Sequence, residues 1–219
     1  MSELSTRPSR AMAWSGILGA VLFTVGIMMV SSVPGGGEPE PKDFPDFYDS
    51  SGKRTTVLIG AYVLAIACLV LIAFFHALRT RIALRSNGLV PGWGFAAGAF
   101  GLTAVAISAG LLGAPAAVQS FGNGDYVGIH VAHAFAEAGF GIMLIPGMLG
   151  VALAVFTLSL AGRRSGAIQG WLGIMGMVVA VLLLASLIFL PMVLFPIWLL
   201  VAGIASLRGT PAAPPAAVA

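Results

Sequence analysis

The sequence predicts an all-α integral membrane protein, a bundle of six transmembrane helices whose last two form a tight apolar hairpin. Three observations carry this expectation. Hydrophobic residues make up 58% of the chain and charged residues 9%, against about 25% charged in ordinary soluble domains. Mean hydropathy is +1.00, more apolar surface than a chain of 219 residues could hide from water, so lipid must solvate it. The charges fall in the gaps between apolar stretches. Arg7 and Arg10 precede the first stretch, Arg79, Arg81 and Arg85 follow the second, Arg163 and Arg164 the fourth, and Arg208 the last. Glu38, Glu40, Asp43, Asp46 and Asp49 share the gap after the first. Arginine-bearing loops stay in the cytoplasm and ionised groups are excluded from hydrocarbon, so the pattern also gives a threading.

A span needs about 20 apolar residues. The first covers 13–33, after a cytoplasmic tail 1–12, and stops at Pro34-Gly35-Gly36-Gly37. Its apolar run Ala13–Val30 is 18 residues long. Signal-peptide cores are shorter, about 7–15 residues, and no small-x-small cleavage site follows, so a retained helix is favoured. The external loop 34–54 is rich in proline and acid, which disfavour both helix and insertion. The second span covers 55–78. The third covers 91–113, opening at Pro91, a good first helical position.

The fourth stretch, Val127–Ala161, has 35 residues, about 52 Å as one helix against roughly 30 Å of hydrocarbon. Counting back from Arg163 and Arg164 places the span at 141–161. Residues 127–140 are then an external helical extension, and Pro146-Gly147 permits a kink. Gly170–Leu207 carries no charge for 38 residues and reads as a hairpin of spans 170–189 and 191–207, turning at Leu190-Pro191. An even number of spans puts both termini and the arginine-bearing gaps after the second, fourth and last stretches in the cytoplasm, with Arg54 in the external loop 34–54. Residues 209–219 read as a disordered cytoplasmic tail.

The formal charge of +3 and pI near 9.5 come from topological arginines rather than a basic patch, so nucleic-acid binding is not expected. Arginine outnumbers lysine nine to two, a bias of GC-rich bacterial genomes. The expected location is therefore a bacterial plasma membrane. Cys68 is the single cysteine, so no intrachain disulfide can form. No internal repeat of the inverted-transporter kind stands out.

The loop FPDFYDSSGKR leading into GAYVLAIA, the exit FFHALRTRIALR and the closing GWLGIMGMVVAVLLLASLIFLPMVLFPIWLL together touch roughly half of the chain. In these stretches the sequence resembles uncharacterised actinobacterial multi-pass membrane proteins, a domain of unknown function. The resemblance implies six helices and supplies no active-site residues.

The one constellation with metal-ligand character is His130, His133 and Glu137, on one helical face by their spacing. Two imidazoles and a carboxylate could hold a divalent ion. The order is not the H-E-x-x-H of metalloproteases, and the depth count leaves the three near water, so a solvated interfacial face is favoured. His76, one turn from Arg79, reads as an interfacial histidine at the opposite end, too far away to complete a two-histidine haem site. The acidic loop lacks the glycine and periodicity of a calcium loop. Its Phe44, Phe47 and Tyr48 are expected at the interface or over the bundle's outer mouth. Met143, Met148, Met175, Met177 and Met192 read as core filler. Gly94-x-x-x-Gly98 permits close helix approach, either as a homodimer face or as a buried face of a central helix, and the second is favoured.

No nucleophile–base pair is visible, and no cofactor is implied. The expected function is a non-enzymatic accessory or scaffold role in the bacterial envelope, with the bilayer and a membrane-protein partner as its contacts. The alternative is a small transporter or ion-binding protein using His130, His133 and Glu137.

Overall fold

The computed structural model describes residues 7–34, 43–86, 92–122, 128–185 and 190–207. Among them all regular structure is helical. In chain order these are α1 (Arg7–Val30), α2 (Asp43–Tyr48), α3 (Ser51–Ala83), α4 (Gly92–Phe121), α5 (Ile129–Ile142), a π-helical segment (Met143–Gly147), α6 (Met148–Arg164), α7 (Gly170–Leu183), a 3-10 turn (Leu190–Val193) and α8 (Leu194–Leu207). The expected tail 209–219 lies outside the described residues, as do 1–6 of the N-terminal tail.

Four helical runs are long and apolar enough to cross a membrane: Arg10–Val30, Ser51–Ala83, Gly92–Phe121 and Ile129–Arg164. The expected hairpin pair is shorter. α7 and α8 have 14 residues each, about 20 Å against roughly 30 Å of hydrocarbon. Helix length thus provides four crossings where six were expected. The expected turn at Leu190-Pro191 coincides with the 3-10 turn.

Small residues set the packing. α1 and α3 run antiparallel, with Gly26 against the backbone of Leu64, Gly19 against Leu71 and Gly60 against Met29 and Val30. α4 lies at the centre, packed on α3, α5 and α6. Its closest neighbour is α6. A Cβ on Gly101 would stand 2.6 Å from the Gly147 carbonyl oxygen and 2.6 Å from the Val151 nitrogen. α7 packs mainly on α6 and α8 mainly on α1. Phe195 of α8 meets Phe23 edge-on at 5.4 Å, and Trp198 meets Phe74 edge-on at 6.2 Å.

Three helices are longer than expected. α1 ends at Val30 beside Gly60, so residues 51–59 of α3 run past it. Gly113 lies beside Ala61, and Gly139 beside Leu112, so residues 114–121 and 129–138 overshoot at the same end. The stretch 127–140, expected as an external extension, is helical from Ile129 and continuous with α6 in one run Ile129–Arg164, and residue 127 lies outside the described residues. The overshoots of α3 and α4 were not expected, because hydropathy ends at an interface while a helix can continue in polar residues. α1 likewise starts at Arg7 rather than Ala13.

Proline explains the π segment. Pro146 has no N–H to donate and its ring would strike the carbonyl of Ile142 in a regular α-helix. One wider turn relieves the clash while keeping the helix continuous. The π segment covers Pro146-Gly147, where a kink was expected.

Candidate functional site

The three overshooting helices form a collar, and α2 is seated on it. The acidic loop was expected to resist helix formation, yet DFPDFY forms a short helix. Phe44, Phe47 and Tyr48 fall at i, i+3 and i+4, one helical face, and all three are buried. Pro45 sits in the first turn, where its missing N–H has no intrahelical partner to lose. Asp43 and Asp46 lie in that first turn, where the helix dipole favours negative charge.

Polar contacts hold α2 in place. The Arg54 guanidinium donates to the Tyr48 carbonyl, and the Gln119 amide of α4 donates to the Asp49 carboxylate at 3.4 Å. Lys53 lies over the Phe47 ring, 5.4 Å from its centroid. Ser50 caps α3, its hydroxyl oxygen accepting from the Lys53 N–H.

The histidine face stands on this collar. His133 packs its ring against Phe44, with centroids 5.6 Å apart, and its Nε2 lies 3.5 Å from Glu137 Oε1. Both side chains are accessible, 43% for His133 and 51% for Glu137. His130 is exposed on the same helix. The structure therefore pairs His133 with Glu137 at i, i+4. Among the described residues no group of three His, Cys, Asp or Glu side chains is placed to hold a metal ion. A solvated pair of this kind attracts weakly, about 0–1 kcal/mol.

His76 is at the other end, ring against Phe95 of α4 at 5.7 Å, and Arg79 lies over that same ring at 5.7 Å. Met143, Met148 and Met192 are buried among apolar side chains. Cys68 is a buried free thiol. Gly94 and Gly98 meet their own chain, Gly94 against Thr157 and Gly98 against Ala154 and Phe75.

Sequence reasoning missed a polar spot inside the bundle. The Ser159 hydroxyl and Trp198 indole N–H find no hydrogen-bond partner among the described residues, and both converge on Gly176 of α7. Only Gly fits there, because a side chain would strike Ser159. The available signal was Gly170, Gly173 and Gly176 at intervals of three on an otherwise bulky helix. Ser108 in α4 is also fully buried with an unpartnered hydroxyl.

No protein-family model, curated protein or solved structure matches the chain.

Proposed function

We propose that the protein is a non-enzymatic integral membrane protein with an accessory or scaffold role in the bacterial cell envelope, seated in the plasma membrane. The observation that carries this reading is the make-up of the core. Among the described residues the buried polar side chains are Ser108, Thr157 and Ser159, and no Asp, Glu, His, Lys or Arg is buried. Transport paths and proton relays through a bilayer are ordinarily marked by intramembrane Asp, Glu, His, Lys or Arg. Here the described acids, Asp43, Asp46, Asp49 and Glu137, cluster at the collar, and Arg10, Arg79, Arg81, Arg85, Arg163 and Arg164 fall at the opposite end.

In this reading the arginine end faces the cytoplasm and the collar faces outward. α1, α3, α4 and the α5–α6 run cross fully. α7 and α8 complete six passes as an apolar hairpin whose turn sits at the outer side. The collar supplies the rigid, polar surface with which an envelope partner would engage. The ion-binding alternative rests on His133 and Glu137 alone, which lack a third ligand among the described residues.

Two measurements test the proposal. Reporter fusions at Gly88 and Gly209 should both read cytoplasmic, and a periplasm-type signal at Gly209 would break the hairpin. Affinity capture of the full chain from detergent-solubilised membranes should return a stoichiometric membrane-protein partner. Capture of the chain alone, with a stoichiometric metal ion bound, would replace the scaffold reading with ion binding.

A further inference from the structure

His76 and Arg79 lie three residues apart on α3 and meet the same ring of α4. The His76 imidazole stands edge-on to Phe95 with centroids 5.7 Å apart, and the Arg79 guanidinium carbon lies 5.7 Å from that ring's centroid. One turn of helix puts their Cβ atoms about 5–6 Å apart, so the shared ring draws an imidazole and a guanidinium to one place. Arg79 also reaches toward the start of α4, where a Cβ on Gly92 would stand 3.8 Å from its Nη2. His76 is exposed and Arg79 half-buried. Neither side chain makes a hydrogen bond or ion pair with a described residue, and the described carboxylates all lie at the collar. In this the pair differs from Arg85, whose guanidinium is engaged by the Gly166 carbonyl.

The height of the pair along the bundle decides what it meets. Gly16 lies against Phe74, and α1 and α3 are antiparallel, so Trp14 stands level with His76, each two residues nearer the arginine end. Trp14 is 61% exposed, and Trp93, next to Gly92 at the start of α4, is 56% exposed. Exposed tryptophans at one end of a membrane helix bundle mark the headgroup layer. An imidazole and a guanidinium open to that layer, with no carboxylate beside them, are complementary in charge to lipid phosphates. Phosphate oxygens can accept from both groups, whereas an acyl chain would leave the imidazole unsatisfied.

We propose that His76 and Arg79 hold the phosphate of an anionic phospholipid at the α3–α4 edge of the bundle, with Phe95 fixing the two side chains. Basic pockets between transmembrane helices are where anionic headgroups bind. The site deepens the membrane-seated reading above and rests on the arginine end being a bilayer interface. It does not depend on which face of the membrane that is, nor on an envelope partner.

The test is native mass spectrometry of the full chain, released from dodecylmaltoside micelles that contain equal amounts of phosphatidylglycerol and phosphatidylcholine. The one-lipid adduct should favour phosphatidylglycerol about fivefold, the gain expected of one basic residue at an anionic surface. Arg79→Gln with His76→Gln should bring the ratio close to one, and Arg79→Gln alone serves if the double variant does not fold. Arg163→Gln with Arg164→Gln, also at the arginine end, should leave the fivefold ratio in place. Equal adducts of the two lipids on the parent chain would overturn the proposal, as would a preference that survives the loss of Arg79. So would a ratio that falls as far with the Arg163 and Arg164 pair, because the preference would then belong to the basic end as a whole. Displacement of the lipid by excess inorganic phosphate would overturn the lipid assignment in favour of a soluble phosphate. Neither the reporter fusions nor partner capture enters this readout, so the topology, the scaffold role and the lipid site fail separately.

Discussion

Adding a single methyl group at two glycines should move stability in opposite directions. A Cβ on Gly150 would lie 2.6 Å from the Ala97 carbonyl oxygen, 2.7 Å from Gly101 Cα and 2.8 Å from Gly101 N. Ordinary contact begins at 3.4 Å, so α4 and α6 must part by 0.8 Å, the difference between 3.4 and 2.6. All three neighbours are backbone atoms, so no rotamer change absorbs the clash. A gap of about 0.5–1 Å forfeits a quarter to a half of each contact along the interface, and overpacking of this kind costs about 1–3 kcal/mol. Alanine's better helix propensity returns about 1 kcal/mol, leaving Gly150→Ala destabilised by about 0–2 kcal/mol. Gly110, also mid-helix in α4, has nothing within 4 Å of a Cβ. Gly110→Ala therefore gains the propensity without the clash, up to about 1 kcal/mol. Unfolding of both variants and the parent chain in mixed dodecylmaltoside–SDS micelles, followed by far-UV circular dichroism, measures the two shifts. Gly150→Ala as stable as Gly110→Ala would refute the contact between α4 and α6. A loss at Gly110 equal to that at Gly150 would refute the idea that space, rather than glycine itself, decides the sign.

Gly98→Leu should lower thermal stability in detergent markedly, because a Cβ there already stands 2.8 Å from Ala154 Cβ and 3.0 Å from the Phe75 ring; an unchanged melting temperature would place Gly98 on lipid. Phe44→Ala should cost about 3–5 kcal/mol if its burial behaves as core burial, and limited proteolysis should then cut near α2 first; an unaltered cleavage pattern would mean α2 does not depend on that ring. His133→Ala should shift stability by no more than about 1 kcal/mol, since its partner Glu137 is solvated. Elemental analysis of the purified parent chain should find no stoichiometric metal, and a one-to-one ion lost in His133→Ala would reverse the assignment of that face.

What the sequence revealed was whatever depends on local composition. Arginines flanking apolar runs and the glycine pair 94 and 98 needed only spacing to be read, and both glycines face other helices of the bundle. The α3 and α4 parts of the collar were illegible for a physical reason. Hydropathy reports where lipid ends, whereas a helix ends where its backbone partners run out or a cap intervenes. Ser51-Gly52-Lys53-Arg54 is polar, yet helical from the Ser50 cap onward. α2 was hidden by its own composition, since proline and acid argue against a helix interior but are tolerated in a first turn.

The hairpin boundaries were hidden by the opposite problem, a run so uniformly apolar that nothing punctuates it. The convergence of Ser159 and Trp198 on Gly176 joins α6, α7 and α8, and no periodicity within one stretch encodes a meeting of three. The Gly176 contact also bears on function. A serine hydroxyl and an indole N–H without partners among the described residues of an apolar bundle cost more than any apolar replacement would, while every Asp, Glu, His, Lys and Arg described lies toward one end or the other. A chain arranged this way holds its middle as packing and presents its chemistry at two surfaces, the acidic collar and the arginine-rich base. Substitutions of exposed residues that alter binding without altering stability should therefore concentrate at those two ends, and those that alter stability should fall on buried contacts, the glycines between α4 and α6 and the aromatic face of α2 among them.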